Sequence, residues 1–235
     1  MPKEQNNTSN IVHLEGPVDK CLTRDLDGGA LLALIELSTA SARKTAEGNR
    51  SFSNVMFHRI EVLTRNEEKA NELRRIAQEL RQEGADHPFL SVKGGLSVNS
   101  NGQVFVLADD RTGELKLVDK KDASFKNTVN ISGKILQTSS NNAYAVATLA
   151  VANAMEGMPD VRIPVCIYHN DNPKQWTELS GGKIQKGQTM SVRGPLITRP
   201  YSDGEKTKSI CSVNIKKYEI LDQIKKETKK STMSV

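Results

Sequence analysis

The side chains able to do covalent or metal chemistry are scattered along this chain. His13, His58, His87 and His169 stand at no metal-ligand spacing, and Cys21, Cys166 and Cys211 are odd in number and far apart. Neither a zinc site nor a disulfide framework follows from them, and reduced thiols and packed or solvated histidines are expected. The turn Gly-x-Ser-x-Gly, which exposes a serine nucleophile, does not occur. Gly181-Gly-Lys-Ile lacks the preceding glycine and the following hydroxyl residue of a phosphate loop, and Asp109-Asp110 before Arg-Thr-Gly reads as another turn. What remains is non-covalent chemistry, carried by flat rings and long cations. Aromatic residues are only 4% of the chain, and Phe52, Phe57, Tyr168, Trp176 and Tyr201 are the rings considered for stacking. Arg43, Lys44, Arg50, Arg59, Lys93, Arg193 and Arg199 are the cations considered for phosphates. Taken singly each is a solvated charge; taken together with rings they suit a polyanion with stackable bases. No catalytic residue, metal or cofactor is expected.

Charge is distributed to match. The net +5 divides into −2 for residues 1–120 and +7 for residues 121–235, so the second half is the basic one. No run of about 18 apolar residues occurs and the start, Met1-Pro-Lys-Glu, is polar; a soluble, cytoplasmic protein without membrane contact is the expectation.

A repeat positions these residues. Phe89-Leu-Ser-Val-Lys-Gly-Gly-Leu returns 100 positions later as Thr189-Met-Ser-Val-Arg-Gly-Pro-Leu. Each copy alternates apolar with polar or basic residues and is broken by a glycine that implies a bulge or tight bend. Asn10-Ile-Val-His-Leu-Glu-Gly16 returns at a step of 117 as Asn127-Thr-Val-Asn-Ile-Ser-Gly133, and Leu32–Ala40 at a step of 114 as Val146–Ala154. A third strand, Phe57–Leu63, corresponds to Val161–Tyr168, where Pro164 requires an edge or bulge. Between Glu67 and Glu83 the period changes to 3, 4 and 7 (Leu73, Ile76, Ala77, Leu80), predicting an amphipathic helix ended by Gly84. Pro173–Leu179 is predicted as a shorter helix capped by Asn172. Hairpin signals follow at Asn101-Gly102 and Asp203-Gly204. The last strands, Gln103–Leu107 with Leu115–Val118 and Ser209–Ile215 with Tyr218–Leu221, close each half.

The expected organisation is a flexible tail over 1–9, a first domain over 10–119, a linker over 120–126, a second domain over 127–222 and a basic flexible tail over 223–235. Five strands with a helix between the third and fourth is the order of the oligonucleotide-binding (OB) fold. An all-β protein of two tandem five-stranded Greek-key OB-fold barrels with short helices is therefore predicted, with strands two and three as the ligand face. The loop after strand two carries Arg43, Lys44, Arg50 and Phe52 in the first half, but only residues 155–160, without positive charge, in the second. The halves are not expected to grip a ligand equally.

Both halves resemble the bacterial single-stranded DNA-binding protein family. The resemblance rests on Asn10-Ile-Val-His-Leu-Glu-Gly16 and Phe57-His-Arg-Ile-Glu-Val-Leu63, and in the second half on Asn127-Thr-Val-Asn-Ile-Ser-Gly133, Lys186-Gly187 and Val192-Arg-Gly-Pro-Leu-Ile-Thr-Arg-Pro-Tyr201. It implies that Phe57, Tyr168 and Tyr201 stack on bases. It also implies sequence-independent coating of single-stranded DNA in replication, recombination or repair, and a homodimer that brings four OB folds together. Leu63 stands where Tyr168 does, and no aromatic follows Val98, so the stacking surface is split between halves. The family's acidic tip, which recruits repair enzymes, is replaced by Lys225-Lys-Glu-Thr-Lys-Lys. Trp176 is read as packing against the sheet, with stacking the other role; Phe52, in a basic loop, is placed for exposure. Two alternatives stand beside this reading: an OB-fold protein-interaction or assembly module without DNA binding, and an RNA-binding OB protein.

Overall fold

The computed structural model describes residues 9–44, 50–82, 84, 86–111, 113–202 and 207–221, with side chains described for all of these except 41–44, 50–54, 200–202 and 207–209. Most of them are in β-strands, with two short helices. The first half comprises β1 (Asn10–Asp25), β2 (Leu31–Lys44), β3 (Arg50–Thr64), α1 (Glu67–Glu79), β4 (Phe89–Val98), β5 (Val104–Asp109) and β6 (Glu114–Val118). The second comprises β7 (Asn127–Ser140), β8 (Tyr144–Val151), β9 (Val161–Tyr168), α2 (Pro173–Ser180), β10 (Thr189–Gly194), β11 (Leu196–Ser202), β12 (Thr207–Asn214) and β13 (Lys217–Ile220). The order of elements is the same twice, β10 and β11 together standing for β4.

In the first half the strand pairing returns to its start. β1 pairs antiparallel with β2, β2 with β3, β3 runs parallel to β5, β5 pairs antiparallel with β4, and β4 comes back to β1 through Leu14↔Val92. The second half repeats the circuit, from β7 through β8, β9, the parallel β12, and β11 with β10 back to β7. The organising strand makes this return possible because it serves two partners. β4 pairs with β1 as far as Gly94 and with β5 from Gly95 onward, and the second half makes the same change across Gly194-Pro195. A Cβ at Gly94 would overlap the carbonyl oxygen of Leu107, and one at Gly194 that of Asn214. The bend expected from the repeated glycine is thus a place where two backbones touch.

The last segment of each half behaves differently from its expected pairing. β6 lies beside β4 (Leu90↔Leu117) and β13 beside β10 (Met190↔Ile220), rather than beside the strand that precedes each. β5 is already flanked by β3 and β4, so the open edge of β4 is the one left to take a partner.

The halves join through β1 and β7, which pair antiparallel from Asn10↔Ile131 to Leu14↔Asn127. At the repeat step of 117 these two pairs are images of each other, and Val12↔Val129 lies on the pseudo-two-fold axis between them. One sheet, β6-β4-β1-β7-β10-β13, therefore runs across both halves, and the buried apolar residues of the two circuits touch as a single cluster. The connecting segment is docked: Glu15 accepts hydrogen bonds from the Ser124 backbone and, at 2.8 Å, from its hydroxyl, while Phe125 packs edge-on to Phe89 with centroids 5.4 Å apart.

Each helix follows from local chemistry. Asn66 caps α1 by accepting from the Lys69 N–H at 2.9 Å, and Asn172 caps α2 by accepting from Gln175 at 3.1 Å, with Pro173 at the first turn. Ala70, Leu73, Ile76 and Ala77 form the buried stripe of α1, where full burial of a Leu or Ile side chain stabilises by about 1.5–3 kcal/mol.

Candidate nucleic-acid interface

On the outward side of strands β1 to β3, register places Lys20 opposite Glu36 and Glu36 opposite Arg59, with Leu22 opposite Leu34 one step along. Phe57 stands at the end of this surface with half of its area exposed. The residues line a groove of about 300 Å³ whose far wall is Thr198 and Cys211 of the second half. A ring and cations are therefore together, as expected of a ligand face. Two carboxylates share it: Glu36 lies in the same row, and Glu61 accepts from the Arg59 guanidinium at 2.8 Å. The charge of Arg59 is largely answered within the protein.

The corresponding face of the second half carries no such answer, because β8, β9, β11 and β12 contain no Asp or Glu. Tyr144 lies directly opposite Tyr168, their rings 6.4 Å apart and tilted by 59°. The exposed Arg199 donates a hydrogen bond to the Tyr168 hydroxyl at 3.0 Å, and Ile210 stands opposite Arg199 on the neighbouring strand. This is a two-ring platform beside a cation. Tyr144, 41% exposed, was not among the rings drawn from the sequence. Its only signal was an aromatic two positions after Asn141-Asn142, and the β8–β9 register is what sets it against Tyr168.

Between the halves runs a second groove of about 800 Å³, lined among others by Met56, Asn127, Ile197, Arg199, Asn214 and Lys216. His58, 1% exposed, joins the halves through two residues that line this groove: Nε2 is 2.8 Å from the Thr39 hydroxyl and Nδ1 is 3.1 Å from that of Thr198. Burial pushes the His58 pKa down to about 4, so the ring is neutral near pH 7.

The remaining expected residues lie elsewhere or outside the description. Lys93 and Arg193 alternate with buried Val92 and Val192 and so stand on the outer face of the six-stranded sheet, away from the β2–β3 surface. There Lys93 pairs with Glu114, whose pKa Lys116 and Lys93 hold down at about 2, whereas Arg193 sits opposite Lys217. The structure therefore divides the cations between two faces. Trp176 is partly buried against the core and meets His169 edge-on at 4.7 Å, which is the packing role. The side chains of Arg43, Lys44, Arg50, Phe52 and Tyr201 lie outside the described residues, as do the Asp203-Gly204 turn, residues 1–8 of the first expected tail and the whole of the second.

The three cysteines are unbridged, and burial raises the pKa of all of them, that of Cys21 to about 11, which removes the thiolate nucleophile at neutral pH. Among the described residues no group of His, Cys, Asp and Glu is arranged to hold a metal, and no helix is long and apolar enough to cross a membrane.

No model of a protein family matches the sequence, and no curated protein matches it either. Among solved structures the chain is similar to wild-type single-stranded DNA binding protein from Thermus aquaticus. The TM-score is 0.60 at 16% identity, over 91% of this chain and 93% of that one. A deletion mutant of the same Thermus aquaticus protein gives a TM-score of 0.59 at 17% identity, over 91% and 94% of the two chains. The likeness covers nearly the full length of both chains and is one of fold.

Proposed function

We propose that this chain is a sequence-independent single-stranded DNA-binding protein. It is built of two tandem OB-fold barrels, residues 10–119 and 127–222, joined by 120–126. It coats exposed strands during replication, recombination or repair in the cytoplasm and is a binding protein, not an enzyme. The observation that carries this reading is the second-half platform, where Tyr144, Tyr168 and Arg199 share an exposed sheet face free of carboxylates. Rings of this kind contribute about 1–3 kcal/mol per stacked base without regard to base identity, and the cation meets the phosphate. The closed order of strand pairing, found twice, and the likeness to the Thermus aquaticus proteins support the same conclusion.

Two such chains bring four barrels together, and the homodimer is tested by mass in solution. Affinity for single-stranded against double-stranded DNA at two salt concentrations tests the function. Preference for single strands with a steep loss at the higher salt is expected; equal affinity for both forms refutes it. Competition with RNA of equal length decides between DNA and RNA. The carboxylates Glu36 and Glu61 on the first-half face favour the second reading, an assembly module, for that half alone.

A further inference from the structure

We infer that a single strand passes between the two halves at only one of their two pseudo-symmetric junctions; the inference rests on the function proposed above. The pseudo-two-fold through Val12↔Val129 makes two junctions, one between β3 and β11 and its image between β9 and β4. The sequence has broken their equivalence.

At the β9–β4 junction both connections are packed against the neighbouring strands. Residues 152–160 fold back so that the Ala154 N–H donates to the Leu96 carbonyl at 3.0 Å and Ser97 donates to the Asn153 side chain at 2.9 Å. Asn10 donates to the Ala152 carbonyl at 2.7 Å. A Cβ at Gly95 would fall 2.8 Å from that of Ala154, so no space remains. The β4–β5 connection beside it is the tight turn Asn99–Gln103, closed by hydrogen bonds to Asn99.

At the β3–β11 junction the paired strands of both hairpins run on instead. β2 and β3 stay paired out to Lys44↔Arg50, and β11 and β12 out to Ser202↔Thr207. Between the bases of these two hairpins lies the groove of about 800 Å³. Its wall combines apolar Val55, Met56 and Ile197, suited to base faces, with Arg199 and Lys216, suited to phosphates. Its carboxylate, Asp171, lies 3.6 Å from Lys216 and is answered by it. The groove also meets the Phe57 surface at Thr198, which lines both. One continuous path thus leads from the first-half face through the open junction towards Arg199 and the tyrosine pair. The occupant is a nucleotide segment of single-stranded DNA bridging two bound stretches.

The test uses the full chain and two fluorescent oligo-dT probes: one of about 8 nucleotides, within the ~4–16 of a single fold, and one of about 30, which must cross between folds. V55E combined with K216E at the open junction should weaken binding of the long probe about tenfold or more and of the short probe less than about threefold. M155E combined with M158E, on the exposed loop of the closed junction, should change neither. Equal weakening by the two pairs, or no effect of the first, overturns the single crossing. In the unaltered chain, a photoactivatable long probe should crosslink within 53–58 and 195–199 and not within 152–160, and crosslinks at both junctions also overturn it. If the unaltered chain binds neither probe, the proposed function itself falls and this path with it.

Discussion

Asn127 holds Leu196 by both ends of its amide: Nδ2 donates to the leucine carbonyl at 2.9 Å and Oδ1 accepts from the leucine N–H at 2.8 Å. Asn10 does the same to Leu96, at 2.9 and 2.7 Å. Each asparagine then reaches across to the other half, Asn127 to the Thr39 hydroxyl at 3.2 Å and Asn10 to the Ala152 carbonyl. The repeated Asn is therefore a clamp between first strand, organising strand and partner half. Asn127→Ala leaves two half-buried backbone groups of Leu196 unpaired, and the expected loss is about 1–3 kcal/mol, read as a lower urea midpoint. Asn127→Asp should recover less than half of it, since a carboxylate cannot donate to the carbonyl.

The acid stability follows from His58. Its folded pKa, about 4, lies below the 6.5 of an unperturbed histidine, so between those values the unfolded chain binds more protons. The stabilisation is complete above about pH 6.5 and is lost as pH falls towards 4, by about 3 kcal/mol in all. Urea unfolding at pH 7.5 and pH 5 should show about 2 kcal/mol of that loss, and His58→Asn should flatten it; an unchanged pH slope in the variant would assign the loss to other groups.

Gly194→Ala drives a methyl group onto the Asn214 carbonyl where the strand changes partners. A loss of about 1–3 kcal/mol is expected from such overpacking. Gly187→Ala, at a turn with positive φ and open space around it, should cost less; thermal melts of the two variants compare them directly.

The platform makes a separable claim. Tyr144→Ala and Tyr168→Ala should each weaken oligo-dT binding by about 1–3 kcal/mol, the worth of one stacked base. Trp176→Phe, at a packing position, should leave affinity unchanged. Titration by fluorescence anisotropy distinguishes them, and equal affinity of all three variants would remove the tyrosines from the site.

Charge on the two faces should read out differently. Arg199→Ala is expected to lower the salt slope of binding by about one. Arg59→Ala, whose charge Glu61 already answers, should lower it by less. Replacing Glu36 and Glu61 together by Gln should tighten binding, because repulsion of phosphate from the first-half face is removed.

How much was legible beforehand depended on whether the information was local. The alternation in Asn10–Gly16, the 3–4 spacing of α1 and the cap Asn172 act within a few residues, and the repeat of glycines at 94 and 194 marked the place where each strand bends. The pairing of β6 with β4 was not legible, since an edge strand's partner is whichever edge the rest of the sheet leaves open. Nor was the separation of Lys93 and Arg193 from Arg59, because which side of a sheet faces a ligand depends on how the circuit closes.

The order of local residues alone determined two copies of one strand-rich unit, their helix positions, and the greater positive charge of the second. Tertiary structure decided that Tyr144 meets Tyr168, that carboxylates oppose the cations of one half and not the other, and that His58 is buried between the halves. The reason is physical: hydrophobic period and capping are read along the chain, whereas register and the contact of distant strands exist only once the ladders have closed.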